Sequence, residues 1–407
     1  MASPPYLSAP AGACYARRKA NSQHLQGGIA VSDDRNSQNR SLTRSGRARR
    51  RFLEGTALAA AGTSAALLPG LRTAAAEPQA GATTASCPTV PTPMKDVEGK
   101  VAFITGGDSG IGLGIARAFT DAGMKVVITY RTRSHLDEAM KYLQSAGDRV
   151  HAVNLDVTDR AAMEKAAAET VQVFKKVHVV VNNAGVGIIG GLSTATYDDW
   201  DWGMGVNVNG VFNGIRSFLP RIQAHGEGGQ VVATSSLAGL LGHGPAGVYT
   251  ASKFAVVGMM EALRNELAGG NVGVSVFCPG IVNTNIGTSN RNRPSTLADS
   301  GFKPDPKMFA DMPKELREMR GPPPGMDALE AGQRVLSGMR NNDLYILTTP
   351  EFEAEFRARG EAILASLPTD VNASPAREAV GRMILGKTTY AAERDRKVCE
   401  RARARKA

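Results

Sequence analysis

Six short runs rich in Val, Ile and other apolar residues, at 101–105, 125–130, 150–154, 177–182, 230–234 and 272–277, alternate with longer stretches of helical spacing. No other feature of the chain restricts its fold so strongly. A strand apolar on both faces needs cover on each side, and parallel neighbours need a long crossover, which a helix supplies. The expectation is an α/β domain built on a doubly wound parallel sheet. Beyond these runs, 326–339 reads as a helix, 343–347 as a last strand and 350–366 as a further helix.

The first run leads straight into Thr105-Gly106-Gly107-Asp108-Ser109-Gly110-Ile111-Gly112 and then into a helix. Glycines there let the backbone approach a pyrophosphate, and the helix start offers free N–H groups to it. A second pattern is Tyr249-Thr250-Ala251-Ser252-Lys253, with Ser236 upstream. Residues four apart on a helix share a face. At roughly 4 Å and an effective dielectric of about 20, an ammonium favours a phenolate by about 4 kcal/mol. The Tyr249 phenol is then expected to fall from about 10 towards 7, before any desolvation that pushes it back up. Such a group exchanges protons with an alcohol or ketone at neutral pH.

Two further segments, Asn182-Asn183-Ala184-Gly185 and Asn207-Val208-Asn209-Gly210, stand between these patterns in order. Together they resemble the short-chain dehydrogenase/reductase family, a Rossmann fold, from about Lys100 to Thr284. The resemblance implies an NAD(P)(H)-dependent oxidoreductase that interconverts a secondary alcohol and a ketone or aldehyde. It implies Tyr249 as acid or base and Lys253 as the residue that acidifies it and binds nicotinamide ribose hydroxyls. Ser236 would donate to the substrate oxygen, and Asn207 would hold a water linking Lys253 to solvent. A contrasting reading is a non-catalytic NADP-binding sensor or assembly protein that kept the fold; its expected mark, erosion of the tetrad, is not seen.

The cofactor residues implied are Gly106, Asp108, Ser109, Gly110, Ile111 and Gly112 in the glycine loop, and Asn183, Ala184 and Gly185 after the fourth strand. Asp156, with Val157 beside it, matches the adenine contact, and Pro279, Gly280, Ile281 and Thr284 match the segment against the nicotinamide. At the end of the second strand, Tyr130 replaces the acidic residue that would bond a ribose 2′-hydroxyl, and Arg131-Thr132-Arg133 follows. That favours NADP(H) over NAD(H), with Arg131 and Arg133 either gripping a 2′-phosphate or standing as solvated helix-start residues. Asp108 is a counter-signal.

The resemblance makes 283–325 a substrate lid, against the plainer reading of a surface insertion. Substrate identity is then expected in that lid and in the loop 187–196, whose Ile188, Ile189 and Leu192 suit a small, apolar carbonyl or alcohol compound. Association through helices around 207–222 and 251–268, as a homodimer or homotetramer, is implied as well.

Residues 1–76 read as a polar leader ending in an export signal: Arg49-Arg50-Arg51-Phe52-Leu53, a small apolar run at 55–71, and Ala74-Ala75-Ala76. The twin arginine followed by Phe-Leu resembles the signal of the twin-arginine export route, a receptor-read address. The expected location is the periplasm or cell exterior, with the cytoplasm as the alternative should the stretch be only a stray basic run. The apolar run is shorter than the ~20 residues a membrane span needs, so no stable span is expected. Residues 77–98 read as a linker, 99–368 as the domain and 369–407 as a basic tail.

The leader holds 11 Lys or Arg and 3 Asp or Glu, so it carries +8 of the chain's formal +10. The remainder is close to neutral, which argues against nucleic acid as a partner. Cys14, Cys87, Cys278 and Cys399 lack metal-site spacing. Cys278 reads as a core thiol, and a Cys87–Cys399 disulfide stays open. His151, His178, His225 and His243 show no partner pattern and read as surface or loop residues; no metal site is expected.

Overall fold

The computed structural model describes residues 87, 90–299, 301, 325–386 and 388–405. The leader and most of the expected lid, 302–324, lie outside the described residues.

Seven strands form one parallel sheet: β1 (Val101–Ile104), β2 (Lys125–Tyr130), β3 (Val150–Asn154), β4 (Val179–Asn182), β5 (Gly229–Thr234), β6 (Val272–Cys278) and β7 (Tyr345–Leu347). Their order is β3-β2-β1-β4-β5-β6-β7, with Val101 beside Lys125, Ala102 beside Val179 and Val231 beside Val274. The order reverses between β1 and β4, where a doubly wound sheet opens its ligand crevice at the carboxyl ends of the strands. Pleating sends successive side chains to opposite faces. Phe103 accordingly joins one buried cluster with Val180, Phe218 and Val231, while Ala102 and Ile104 join the other with Ile115, Phe119 and Val126.

Helices cover both faces: α1 (Gly110–Asp121), α2 (Arg133–Tyr142), α3 (Arg160–Phe174), α4 (Tyr197–Met204), α5 (Gly210–Ala224), α6 (Gly247–Glu266) and α7 (Ala328–Arg340). Helix α1 packs on α7 at very close range. A Cβ on Gly114 would strike the Ala328 carbonyl, and one on Gly332 would strike that of Gly114. This glycine-to-glycine crossing seats the start of α1 under the crevice.

After β7 come α8 (Glu353–Ala365), α9 (Pro375–Leu385) and α10 (Tyr390–Ala404), the last two in a stretch that reads only as a polar tail. Helix α10 is docked through charge. Arg396 reaches Asp343 and Glu393, each at 2.8 Å, and the Glu393 carboxylate accepts the Leu344 N–H. Cys399 of α10 is disulfide-bonded to Cys87, with the Cα atoms 5.6 Å apart and 312 positions between them in sequence.

Closing so long a loop restricts the unfolded chain. Replacing Cys87 and Cys399 together by Ser is expected to cost about 3–5 kcal/mol. A domain of this size then melts roughly 10 °C lower. Calorimetry with and without a reductant measures this, and equal midpoints would remove the disulfide from any account of stability.

Candidate active site

The loop after β1 is shaped by backbone demands. Gly106 and Gly110 take φ of +61° and +51°, the left-handed region that favours glycine. A Cβ on Gly112 would strike the Gly106 carbonyl from below. Gly106 N–H donates to Thr129 Oγ1 at 2.9 Å, which ties the loop to the end of β2. Ser109 precedes α1 with its side chain unused as a cap, so the first N–H groups of the helix stay available. Residues Ser109, Gly110 and Ile111 border the crevice there. Open backbone donors at a helix start suit a pyrophosphate.

Below the loop, Thr105 Oγ1 accepts from Asn183 N at 2.8 Å and Ala184 N at 2.9 Å. Asn183 Nδ2 donates to the Thr105 carbonyl at 3.1 Å, and Thr234 Oγ1 donates to Asn183 Oδ1 at 3.1 Å. The carboxyl ends of β1, β4 and β5 are thereby locked together.

Ser236 follows β5, and Tyr249 and Lys253 stand on α6. Lys253 is buried and its Nζ donates to the Thr234 carbonyl at 2.9 Å, 5.5 Å from the centre of the Tyr249 ring. Burial lowers its pKa from 10.5 to about 8. Burial also raises the Tyr249 phenol above its usual value, opposed by a hydrogen bond with Ser236. The direction is thus opposite to the fall expected from the sequence, because desolvation by burial outweighs the Ser236 hydrogen bond. Ser236 Oγ accepts from Ala238 N at 3.1 Å as well, so one hydroxyl caps a turn and meets the phenol.

Asn207 sits in a π-helical turn, Gly205–Asn209, between α4 and α5. Its Oδ1 accepts from Val186 N at 2.8 Å, and its Nδ2 donates to the Val186 carbonyl and to Ser252 Oγ, each at 3.0 Å. The side chain braces the loop after β4 against α6, with both Nδ2 hydrogens and one Oδ1 lone pair used.

One cleft of about 390 Å³ gathers these groups. Ser236, Tyr249, Lys253, Gly106, Asp108, Arg131, Asp156, Val157, Asn183, Ala184, Gly185, Pro279, Gly280, Ile281 and Thr284 border it, whereas Gly112 and Asn207 lie behind its walls. At the far end from Tyr249, Arg131 is half exposed, 3.6 Å from Asp156, and donates to the Asn292 carbonyl at 3.4 Å. Asp108 accepts the backbone N–H of Arg131, with His135 3.9 Å away, and burial raises its pKa. Arg133 does not join them. It pairs with Asp137 at 3.3 Å on the exposed side of α2, the solvated helix-start role.

His135, Ser289, Arg291 and Asn292 border the cleft and carry no motif of their own. The last three sit on the helical turn Ile286–Asn292 at the start of the expected lid. Ser289 Oγ accepts from Gly187 N at 2.8 Å, which fastens that turn to the loop after β4. Next to it, Arg293 is buried against Asp199 at 2.7 Å and lies over the Trp202 ring at 5.0 Å. The loop after β4 is in turn paired with the start of α6, where Gly247 N donates to the Gly190 carbonyl at 2.9 Å.

His178 lies in the loop before β4, one of its two expected settings, but is buried there at the opposite end of the sheet and not at the surface. It lies with His225 and Glu227 close enough for a metal ion. The ring nitrogens are already used: His178 Nδ1 accepts from Val101 N and Nε2 meets Glu227, while His225 bonds the Val177 carbonyl and Glu227 N. Lys100 and Lys176 complete the carboxylate's partners. His151 is also partnered, with Glu169 at 2.7 Å.

Comparison with known proteins places this geometry. The family model described as short chain dehydrogenase matches residues 100–295. The C alpha-dehydrogenase of Sphingobium sp. (strain NBRC 103272 / SYK-6) is 35% identical over 309 residues, which cover 75% of this chain and 99% of that one. The NADP-dependent (R)-specific alcohol dehydrogenase of Lentilactobacillus kefiri is 38% identical over 192 residues, covering 46% of this chain and 75% of its own. A crystal structure of a short chain dehydrogenase/reductase from Burkholderia phymatum in complex with NAD has a TM-score of 0.60 at 37% identity, over 69% of this chain and 99% of that one. A parallel seven-stranded sheet, a nucleotide cradle at its switch point and sequence likeness over this length lead to one conclusion: the chain belongs to the short-chain dehydrogenase family, NAD(P)-dependent oxidoreductases that interconvert alcohols and carbonyl compounds.

Proposed function

We propose that Tyr249 is the acid or base of this oxidoreductase, that Ser236 orients the substrate oxygen, and that Lys253 supplies the charge that steadies the phenolate. The observation that carries this reading is the contact of the Ser236 hydroxyl with the Tyr249 phenol, with Lys253 fixed behind them by Thr234. A bound nicotinamide cofactor supplies or accepts hydride at the substrate carbon. The protein's part is to hold the oxygen between two hydroxyl donors and move one proton. In reduction the phenol gives its proton to the developing alkoxide; in oxidation the phenolate takes it from the alcohol. Lys253, charged below about pH 8, lowers the cost of the phenolate once a substrate shields the site from water.

The substrate is proposed to be an apolar ketone or secondary alcohol. Ile189, Leu192, Ile281 and Ile286 are exposed large apolar side chains on the loops beside the catalytic end. Purified protein from residue 77 onward should oxidise NADPH with apolar aryl or alkyl ketones, and Tyr249→Phe should not. Cofactor binding without turnover across a broad carbonyl panel would revive the non-catalytic sensor.

NADP(H) is the proposed preference, held through Arg131 with Arg291 nearby, while Asp108 and Asp156 narrow the margin by their negative charge. Charge-assisted bonds to a phosphate are worth about 1.5–3 kcal/mol. Arg131→Ala should therefore weaken NADPH about 10- to 100-fold and leave NADH nearly unchanged, whereas Asp108→Asn should improve NADPH. Fluorescence titration with both cofactors measures each ratio; NADH favoured by the unmodified protein would defeat the preference.

Export by the twin-arginine route is the proposed path to the periplasm or exterior. The Cys87–Cys399 disulfide supports an oxidising destination. A reporter fused behind residues 1–76 should be exported, and replacement of Arg49, Arg50 and Arg51 by Lys should stop it. A homodimer or homotetramer is the proposed assembly, and a monomeric mass in solution would defeat that.

A further inference from the structure

The chain departs from the domain after β7 and returns to it at α10, and most of the excursion between is exposed among the described residues. Neither α8 nor α9 contains a buried residue. Ile363, Leu364, Leu367, Met383, Ile384 and Leu385 are each more than half exposed, Ile384 at 77%. Val380, Met383 and Ile384 fall three and four apart on α9, one stripe with Arg377 at its N-terminal end, and the opposite side carries Glu378 and Arg382. Single exposed apolar residues are ordinary. Six at these exposures along one excursion present on the order of 400 Å² of apolar surface, the scale of an interaction patch.

Both roots of this arm are fastened to the outward side of α6. The Arg359 guanidinium lies 5.4 Å over the Phe254 ring. At the return, Thr389 N donates to Asn265 Oδ1 at 3.0 Å and Tyr390 OH to Glu261 at 2.9 Å. The disulfide and the Arg396 cluster then hold α10 in place. Between the roots, Gly258 and Ala262 of α6 are exposed, and a Cβ on Gly258 would meet nothing.

Charge and area choose the occupant. From 353 to 386 the arm carries five acidic residues, Glu353, Glu355, Glu361, Asp370 and Glu378, against Arg357, Arg359, Arg377 and Arg382. So nearly balanced a set offers no pull towards anionic lipid or nucleic acid. One arm's apolar area falls short of the roughly 800 Å² per partner of a stable interface. Two arms exchanged about a two-fold axis double the contact, and the exposed side of α6 between the roots adds to it.

We propose that residues 360–385 form a clasp that closes on a second copy of this chain, each copy's α8–α9 arm lying against its partner beside α6. The proposal rests on the homo-oligomer put forward above and names the surface that makes it. The test is sedimentation of the protein from residue 77 onward, as the unmodified chain and as Leu364→Glu, Met383→Glu, Ile384→Glu, with melting temperature and cofactor binding checked in both. These positions are exposed, so folding and cofactor binding should hold. The expected result is an oligomer for the unmodified chain and at least a 100-fold weaker association for the triple variant. An oligomer that the triple variant leaves intact would overturn the clasp and keep the assembly. A monomeric unmodified chain would overturn both, and so would a monomer that pellets with anionic phospholipid vesicles, which would give the arm to a membrane surface.

Discussion

Tyr249→Phe should lower kcat for both oxidation and reduction by about 10³- to 10⁴-fold, with cofactor affinity within about threefold of the unmodified protein. The variant keeps the ring and loses only the hydroxyl. It therefore removes the proton donor, and a hydrogen bond to the substrate oxygen, while the cradle at Gly106 to Ile111 is untouched. The hydroxyl starts from a raised pKa because burial disfavours its anion, with Ser236 pulling the other way. Reduction needs the neutral phenol, which such a site keeps through the neutral range. Oxidation needs the phenolate, so its rate should climb with pH up to about 8, the range in which Lys253 keeps its charge. Single-turnover rates measured from pH 6 to 8 in each direction check both statements. A variant that retains more than a tenth of the activity, or an oxidation rate that falls as pH rises, would remove Tyr249 from the proton transfer.

The sheet was legible because its inner strands have to be apolar on both faces, and that leaves a mark in the sequence whatever surrounds it. The crevice was legible for a related reason: glycines with positive φ and a helix start are local requirements, met by adjacent residues. What stayed hidden depends on partners far away in sequence. His178 reads as a solitary histidine, yet its ring is used by Val101, 77 positions earlier, and by Glu227, 49 later. Arg293 looks like one more charge in a proline-rich stretch, and only folding brings Asp199 and Trp202 to it. Helix α9 buries nothing, so no core-facing stripe announces it, whereas α8 was legible from its spacing although it too is exposed.

The Tyr249 and Lys253 spacing shows a different kind of gap. Four residues apart on a helix does put the two side chains on one face, as drawn from the sequence. The sign of the phenol's shift, however, depends on how much water reaches it and on where the ammonium points. Here Nζ turns to the Thr234 carbonyl, and burial decides the outcome for both groups.

Lys253 carries the cost of that burial, which gives a second large effect of the opposite sign. Its ammonium is enclosed with one protein acceptor, and its pKa falls from 10.5 to about 8. The folded state thus holds this proton only below about pH 8, whereas the unfolded chain holds it up to about 10.5. Below pH 8 both states are protonated, and the penalty for enclosing the charge is fully present, about 3 kcal/mol. Between the two values the unfolded state binds more protons, so stability rises with pH. Lys253→Met abolishes the penalty and leaves the Thr234 carbonyl without its donor, at a cost of about 1 kcal/mol. The net gain of about 2 kcal/mol should raise the melting midpoint at pH 7 by roughly 5 °C, and should dwindle by pH 10. The same variant should lose at least about 100-fold in kcat, because the phenolate has lost its counter-charge. Melting curves of both proteins at pH 7 and pH 10, without cofactor, decide the matter. If Lys253→Met melts lower at pH 7, or its advantage is unchanged at pH 10, the lysine is not held at the expense of stability, and its place in the site needs another explanation.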